Sequence, residues 1–359
     1  MAQPQTAIVP ELPLERGGLL REVPVAYQAW GRLNEARDNA VVVCHALTGN
    51  TDAADWWRGL IGPGNALDTD VFFVICMSVP GSPYGTVSPL THNPATGRPY
   101  GADFPRVTIR DAVALHRALL EKLDVRQVAL AIGGSMGGMQ ALEWAFYGDF
   151  VRSIAPVAVG GQHSAWCIGW SEAQRQAIYA DPRWQGGRYA SDAPPAAGLA
   201  AARMMAMISY RSRPSFEARF GREQMPSTVN GQAAPFTIES YLRYQGQKLV
   251  ERFDPLCYVR LTELMDTHDV ARGRGDYADV LARIEQPALV VGIDTDVLYP
   301  IEEQEELARL LPNAELAVLA SPHGHDAFLI EFDQLNRLLQ TWMSTHLEAF
   351  VSSPGPALL

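Results

Sequence analysis

Short runs of apolar residues, each bounded by turn-forming residues, recur near the two ends of the chain. Val, Ile, Leu and Ala stand at consecutive positions in these runs rather than at alternate ones. This pattern is typical of parallel strands that helices cover on both faces. The predicted strands are 41–45 (VVVCH), 71–77 (VFFVICM), 128–133 (VALAIG), 154–159 (IAPVAV), 288–293 (ALVVGI) and 316–320 (LAVLA).

Segments with the helical period lie between these runs. The predicted helices are 108–123, 139–147 and 302–311. Because strands and helices alternate, the chain is predicted to form an α/β fold with a doubly wound, mostly parallel central sheet.

The middle of the chain has a different pattern, because the strand signal fades and helix-forming residues dominate. Predicted helices there are 171–179, 196–210 and 238–251, separated by segments rich in Pro and Gly. We interpret this region as a helical lid inserted over the carboxyl edge of the sheet, where open α/β folds bind ligands. The predicted division is 1–163 for the first part of the core, 164–282 for the lid, 283–350 for the second part of the core and 351–359 for a loose tail.

Composition excludes several classes of protein. The formal net charge is −11 and no run of Lys or Arg occurs, so a nucleic-acid partner is not expected. No apolar stretch is long enough to span a membrane, and the N-terminus does not resemble a secretory signal. We therefore expect a cytoplasmic protein. The four Cys are widely spaced and do not cluster with His, so neither disulfides nor a metal site is predicted.

The sharpest motif is the sequence GGSMG at 133–137, in which Ser135 follows a predicted strand and precedes a predicted helix. This is the arrangement of a nucleophile elbow, where the chain turns so tightly that the residues two before and two after the serine must be small. Gly133 and Gly137 meet this requirement. Ser135 is therefore the candidate nucleophile, with an idle serine in a glycine-rich turn as the alternative.

A serine nucleophile needs a base and an acid that orients the base, which in this type of fold follow in the order Ser, Asp or Glu, His. Asp296 lies at the turn after the strand 288–293 and is the favoured acid, with Asp294 as the alternative. His325 and His323 both follow the last predicted strand, and the pattern alone leaves both open as the base.

The negative charge that develops on the substrate carbonyl needs two backbone N–H donors. One is expected from Met136, the residue after the nucleophile, and the other from Leu47 in the loop HALTG at 45–49. His45 is a third candidate base on residue type, but it ends an early strand. We therefore expect it to shape the oxyanion loop.

Several of these motifs together resemble the homoserine O-acetyltransferase family of α/β-hydrolase-fold acyltransferases. GGSMGGMQALEWA at 133–145 and GHDAFL at 324–329 are specific to it. The similarity continues through shorter segments over nearly the whole chain: HALTG at 45–49, GLIGPG at 59–64, NPATGRPYG at 93–101, FPRVTIRD at 104–111, SYRS at 209–212 and RFGR at 219–222.

The resemblance implies a ping-pong reaction in which Ser135 accepts an acetyl group from acetyl-CoA and passes it to the hydroxyl of L-homoserine. It favours His325 over His323, because the family's catalytic His is the one in GHDAF. It also implies that Arg211 binds the amino-acid carboxylate and Asp326 its ammonium group. From the residues alone, Arg211 could equally be a surface charge at a helix end and Asp326 a helix N-cap.

The resemblance further implies a homodimer formed through the lid and small-molecule substrates. Acetyl-CoA is then a co-substrate, with no bound cofactor or metal. Succinyl-CoA as donor and L-serine as acceptor remain alternatives within the family. Outside it, an esterase or thioesterase would have the same catalytic residues, and a silent binding protein with an unused site is the remaining class.

Overall fold

A computed structural model describes residues 3–226 and 234–348 of the chain. Within these ranges the strands are β1 (Gln5–Pro13), β2 (Leu19–Trp30), β3 (Ala40–Cys44), β4 (Phe73–Met77), β5 (His92–Asn93), β6 (Arg98–Pro99), β7 (Val128–Gly134), β8 (Ile154–Val157), β9 (Ala288–Ile293) and β10 (Ala314–Leu319). Eight of them form one sheet in the order β1-β2-β4-β3-β7-β8-β9-β10, and β5 and β6 form a small separate hairpin.

Six neighbouring strands of this sheet run parallel to one another: β4, β3, β7, β8, β9 and β10. They are the six strands predicted from the apolar runs, and their ends differ from the predicted ones by at most two residues. Every residue of β3, β7, β8 and β9 is buried, as expected for strands covered on both faces.

The N-terminal hairpin of β1 and β2 was not predicted. It joins the sheet antiparallel, through pairing of β2 with β4. The alternation that would reveal a half-buried strand is interrupted in β2, because Glu22 adopts a positive φ of 51° and Pro24 cannot donate a hydrogen bond. The sequence of the hairpin therefore lacks the clear alternation that predicts a strand.

Helices flank the sheet on both faces. They are α1 (Ala53–Trp56), α2 (Ile109–Lys122), α3 (Met136–Trp144), α4 (Ala165–Tyr179), α5 (Ala196–Ser209), α6 (Arg213–Phe220), α7 (Thr237–Val250), α8 (Pro255–Met265), α9 (Tyr277–Leu281), α10 (Ile301–Leu310) and α11 (Phe332–His346). Alternate residues of β3 enter different layers: Val42 packs in the core that contains α2 and α3, whereas Val41 and Val43 pack in the core that contains α11.

The six predicted helices are all present, but two begin more than one residue earlier than predicted. The helix after Ser135 begins at Met136, three residues before the predicted start, because the elbow leads directly into the helix despite Gly137 and Gly138. In the lid, α4 begins at Ala165 rather than at Ser171, and the Ser164 hydroxyl caps it by accepting the Cys167 N–H.

The region 164–282 contains α4 to α9, of which α4, α5, α7 and α8 pack on one another. The exact domain boundaries remain a prediction, and the predicted loose tail at 351–359 lies outside the described residues. All four Cys are buried and free. No helix in the described ranges is long and apolar enough to cross a bilayer.

Candidate active site

Ser135 lies at the junction of β7 and α3, with φ 57° and ψ −123°. A positive φ is strained for a residue with a side chain, and such strain is concentrated at functional sites. A Cβ atom at Gly137 would stand 2.1 Å from the Cys44 carbonyl oxygen, and one at Gly133 would stand 2.6 Å from that oxygen and from the Gly137 carbonyl. The two glycines thus allow β3, β7 and α3 to meet closely enough to form the turn.

The predicted acid and base meet beyond the ends of β9 and β10. The Nδ1 of His325 and the Oδ2 of Asp296 are 2.6 Å apart, and both side chains are almost completely buried. The other oxygen of Asp296 accepts the N–H groups of Leu298 and Tyr299 at 2.8 and 3.0 Å. Because its hydrogen bonds are all made by fixed groups, the carboxylate is held in one orientation.

The alternatives to these two residues have other contacts. Asp294 accepts the backbone N–H of Ser321 at 3.0 Å and so ties the end of β9 to the loop after β10. His323 is only half-buried, and its Nδ1 is 3.4 Å from the hydroxyl oxygen of Ser215 in the lid. The structure therefore brings Asp296 to His325 and leaves Asp294 and His323 outside this pair.

The imidazole of His325 is prepared to accept a proton. Burial alone would lower its pKa, but the charge and hydrogen bond of Asp296 outweigh burial and raise the pKa above its usual value. Its Nε2 is buried and has no hydrogen-bond partner among the described residues. The ring nitrogen that points away from Asp296 is thus free to bind a proton from another group.

Contacts join the His325 turn to the nucleophile turn. A Cβ atom at Gly134 would stand 2.5 Å from the ring of Phe328, and that ring lies 5.6 Å from the His325 ring, centroid to centroid. Residues 134 and 135 are adjacent, so the serine turn packs against the 3₁₀ helix Gly324–Leu329 that carries His325. Ser135 is itself nearly buried.

The two predicted oxyanion donors are near this turn. Met136 is the first residue of α3, so its N–H has no acceptor within the helix. Leu47 is buried in the loop after β3, and the neighbouring strand pairing aligns Cys44 with Gly133. Both predicted donors therefore lie at the carboxyl edge of adjacent parallel strands.

The two predicted substrate-binding residues face each other. The Nε of Arg211 is 3.1 Å from the Oδ2 of Asp326, and each side chain is about one-sixth exposed, at 16% and 17%. The Nε–H has no hydrogen-bond acceptor among the described residues, so the contact is electrostatic rather than a directed hydrogen bond. Arg211 is thus not a surface charge, and the N-cap position of the turn belongs to His323 rather than to Asp326.

Burial and nearby positive charge act in opposite directions on Asp326. Burial has the larger effect and raises the pKa of this carboxyl above its usual value, although the guanidinium groups of Arg211 and Arg203 and the nearby His325 partly offset it. Arg203 also lies over the ring of Tyr210, at 5.5 Å from its centroid. Sequence analysis did not identify Arg203, which has no motif of its own on α5.

The segment between α5 and α6 contacts the His325 turn from the lid side through hydrogen bonds and close backbone packing. The backbone N–H of Asp326 donates to the Tyr210 carbonyl at 3.1 Å, and the Ser212 hydroxyl donates to the Pro322 carbonyl. Gly324 has a φ of 66°, and a Cβ there would stand 2.7 Å from the Ser212 nitrogen. The lid is therefore directly attached to the turn that holds the imidazole.

Two tyrosines that the sequence did not identify form the walls around the imidazole. The rings of Tyr299 and Tyr210 lie 5.3 and 5.7 Å from the His325 ring, and the Tyr299 hydroxyl is 3.0 Å from the Nδ1 of His163. Tyr299 follows Asp296 by three residues, so its closeness to the predicted acid was the signal that could have indicated it.

Comparison with known proteins agrees with this geometry. The family model of the α/β-hydrolase fold matches residues 39–332. The fold and site thus define an α/β hydrolase in the structural sense, a class in which the same catalytic arrangement serves different acyl-transfer reactions.

Individual relatives narrow the class. The chain is 63% identical to a homoserine O-acetyltransferase of Salinibacter ruber over 343 residues, which cover 94% of this chain and 97% of the relative. A crystal structure of homoserine O-acetyltransferase from Bacillus anthracis superposes with a TM-score of 0.87 at 25% identity, covering 96% of this chain and 98% of that one. The chain belongs to the homoserine O-acetyltransferase family and is an acyltransferase.

The same architecture also occurs in hydrolases. The crystal structure of esterase E22 superposes with a TM-score of 0.87 at 28% identity, covering 96% of this chain and all of the esterase. The backbone alone therefore does not distinguish acyl transfer to an amino acid from acyl transfer to water.

Proposed function

We propose that this enzyme transfers an acetyl group from acetyl-CoA to the hydroxyl of L-homoserine through an acetyl-Ser135 intermediate. The observation that carries the proposal is the Arg211–Asp326 pair beside the buried His325–Asp296 pair. It combines, in one place, the groups needed to activate a hydroxyl and the charges needed to recognise an amino acid. The product, O-acetyl-L-homoserine, would belong to methionine biosynthesis.

In the first half-reaction, the Ser135 oxygen attacks the thioester carbon while its proton passes to the Nε2 of His325. The N–H groups of Leu47 and Met136 bind the oxyanion of the tetrahedral intermediate. When the carbon–sulfur bond breaks, the thiolate takes the proton from His325, and CoA leaves as the thiol. Asp296 stabilises the imidazolium throughout without itself being protonated.

In the second half-reaction, the homoserine hydroxyl attacks the acetyl-serine ester while His325 accepts its proton. The bond to Ser135 breaks, and the serine oxygen recovers a proton from His325. The same oxyanion donors serve both half-reactions, since both pass through a tetrahedral intermediate on the acetyl carbon.

Acceptor recognition would use the Arg211–Asp326 pair by exchange of partners. Without substrate, each charge neutralises the other; with homoserine, Arg211 would bind the carboxylate and Asp326 the ammonium group. Exchanging one buried pair for two avoids leaving an unpaired charge, whereas water offers neither charge. Orientation of the hydroxyl by these contacts is what would let homoserine compete with water.

A second candidate function is hydrolysis of acetyl esters, which the similarity to esterase E22 favours. Thiol release from acetyl-CoA, measured with and without L-homoserine, separates the two functions. We expect release to rise at least about tenfold with homoserine, with one O-acetylhomoserine formed for each thiol. Equal rates in the two reactions would instead identify a hydrolase. Succinyl-CoA and L-serine in the same assay test the alternative donor and acceptor.

We further propose a cytoplasmic homodimer that associates through the lid and binds no cofactor, nucleic acid or membrane. Large apolar side chains are exposed on α4, α5 and α7, among them Trp166 at 54%, Ile208 at 46% and Tyr244 at 60%. Association of two subunits through the lid would remove these apolar side chains from water. Sedimentation equilibrium should give the mass of a dimer, and a monomeric mass at micromolar concentration would contradict the interface.

A further inference from the structure

The imidazole of His45 has both of its nitrogens engaged by the backbone. It lies at the end of β3 with no solvent exposure. The N–H of Val79 is 3.0 Å from its Nε2, and the Ala46 carbonyl oxygen is 2.8 Å from its Nδ1. A backbone N–H can only donate, so Nε2 is the acceptor and the single proton of the neutral ring is on Nδ1. The tautomer is therefore fixed, with Nδ1–H donating to Ala46.

The charge state of this ring is fixed as well. Burial lowers the pKa of His45 to about 4, despite the hydrogen bond to Ala46. The ring is thus neutral near pH 7, and a proton on Nε2 would face the N–H of Val79. His45 consequently has no lone pair available for Ser135, which removes it as an alternative base.

What the ring holds is the peptide that carries a proposed oxyanion donor. The Ala46 carbonyl and the Leu47 N–H belong to the same trans peptide unit, in which the two groups point in opposite directions. The Ala46 oxygen accepts both the His45 Nδ1–H and, at 2.9 Å, the N–H of Gly49. Two donors on the carbonyl side therefore determine where the Leu47 N–H points.

A second side chain joins this loop to the other donor. Gln140 lies one turn after Met136 on α3 and is fully buried. Its Nε2 is 3.1 Å from the Met136 carbonyl and 3.3 Å from the His45 carbonyl. The amide group thus bridges the segment that carries the Met136 N–H and the segment that carries the Leu47 N–H.

We infer that His45 and Gln140 are positioning residues for the oxyanion hole: His45 aims the Leu47 N–H, and Gln140 sets its separation from the Met136 N–H. This inference rests on the proposed acyl-transfer function, because only a tetrahedral intermediate uses the two donors together. Neither residue touches the reacting atoms or transfers a proton.

Two substitutions of His45 divide its two contacts. In His45→Asn the amide nitrogen occupies the place of Nδ1 and keeps the donor to Ala46, but the contact to Val79 is lost. In His45→Gln the amide reaches the place of Nε2 and keeps the acceptor for Val79, but the donor to Ala46 is lost. We expect His45→Gln to lower kcat about 10- to 100-fold in both half-reactions. The loss of kcat in His45→Asn should be several times smaller than that in His45→Gln. Neither substitution should change KM much.

Ligand affinity separates aiming of the donor from general damage. A boronic acid that adds to Ser135 mimics the tetrahedral intermediate, so His45→Gln should weaken its binding by a factor similar to the loss in kcat. CoA alone has no oxyanion, and its Kd should stay within about twofold. Gln140→Met, which keeps the length of the side chain but removes the donors, should show the same split between boronate and CoA.

The outcomes are distinct for the inference and for the function on which it rests. If His45→Gln and His45→Asn lose activity equally, or if boronate and CoA weaken together, aiming by His45 is wrong. Thermal unfolding of each variant identifies simple loss of fold. If the His45 variants do not fold, the split between boronate and CoA affinity in Gln140→Met tests the positioning of the oxyanion hole. If Ser135→Ala still releases thiol at the wild-type rate, the acyl-serine mechanism itself is wrong, whatever His45 does.

Discussion

The serine turn and the lid segment 210–215 contribute to the same site but are specified in different ways. At the turn, Gly133 and Gly137 permit backbone contacts that no larger residue would allow, so the sequence carries a visible motif. In the lid, Arg211 meets Asp326 because the segment after α5 packs on the distant His325 turn. A constraint on the backbone therefore leaves a pattern in the sequence, whereas a long-range charge contact leaves none.

The largest expected effect tests the serine turn. Ser135→Ala removes the proposed nucleophile but keeps the backbone, so thiol release from acetyl-CoA should fall by about 10⁴-fold or more. Thermal unfolding should remain close to that of the wild type, because the substitution deletes one oxygen. Activity within tenfold of the wild type would show that the strained conformation at this turn has another purpose.

The next effect concerns the pair that orients the base. Asp296→Asn should lower kcat about 10³- to 10⁴-fold, whereas Asp294→Asn, which changes only a contact to Ser321, should have a far smaller effect. The pH dependence of kcat/KM provides an independent test. Only neutral His325 accepts the serine proton, so kcat/KM should rise as pH increases through the raised pKa of His325.

Removal of the Asp296 charge removes the main cause of that raised pKa and leaves burial, which lowers it. The acidic limb of the Asp296→Asn profile should therefore move to lower pH, even though the maximum falls. A limb that stays in place, or moves to higher pH, would mean that another group controls the profile.

The same division between local and long-range constraints separates the features that the sequence predicts from those that it does not. The parallel strands were predicted because burial on both faces requires consecutive apolar residues, as in β7. Asp296 was proposed because it follows such a strand, whereas His325 follows the half-exposed edge strand β10 and was preferred to His323 through the family resemblance. The hairpin of β1 and β2 was missed because Glu22 and Pro24 interrupt its alternation.

Around the imidazole, the unpredicted residues are those whose role exists only in three dimensions. Tyr210 and Arg203 are ordinary members of an apolar or polar helix face until the lid folds over the turn that carries His325. Arg211 was identified through family resemblance, because the local sequence around it is equally compatible with an exposed charge at a helix end. No local rule distinguishes these cases, because the partner of each side chain is far away in the sequence.

An intermediate effect tests the lid contribution directly. Arg211→Ala should raise the KM for L-homoserine about 10- to 100-fold, because it removes the proposed partner of the acceptor carboxylate. Formation of the acetyl-enzyme, measured as the burst of thiol without acceptor, should change much less. Arg219→Ala, an exposed charge on α6, is the matched control. Equal loss in the burst and in the acceptor step would indicate a structural role for Arg211 instead.

The smallest effect tests whether the lid also supports the oxyanion loop. At this loop, a long-range contact from the lid adds to the local constraints of the catalytic turn. Arg252 follows α7, and its Nη1 donates to the Thr48 carbonyl at 2.9 Å and to the Tyr84 hydroxyl. Thr48 is the residue after Leu47. The exposed guanidinium of Arg252 therefore contacts the oxyanion loop from the solvent side, whereas His45 contacts it from the buried side. Because one exposed hydrogen bond contributes about 1 kcal/mol, Arg252→Ala should lower kcat only about fivefold.

The control for this solvent-side contact is Tyr84→Phe, which removes the hydroxyl that Arg252 contacts and leaves the bond to Thr48. Its effect on kcat should be smaller than that of Arg252→Ala, and neither variant should shift thermal unfolding by much, since Arg252 lies at the surface. If Arg252→Ala instead lowered kcat as strongly as His45→Gln, lid position would govern the oxyanion loop. The separation between a locally specified catalytic turn and a remotely specified lid would then no longer hold.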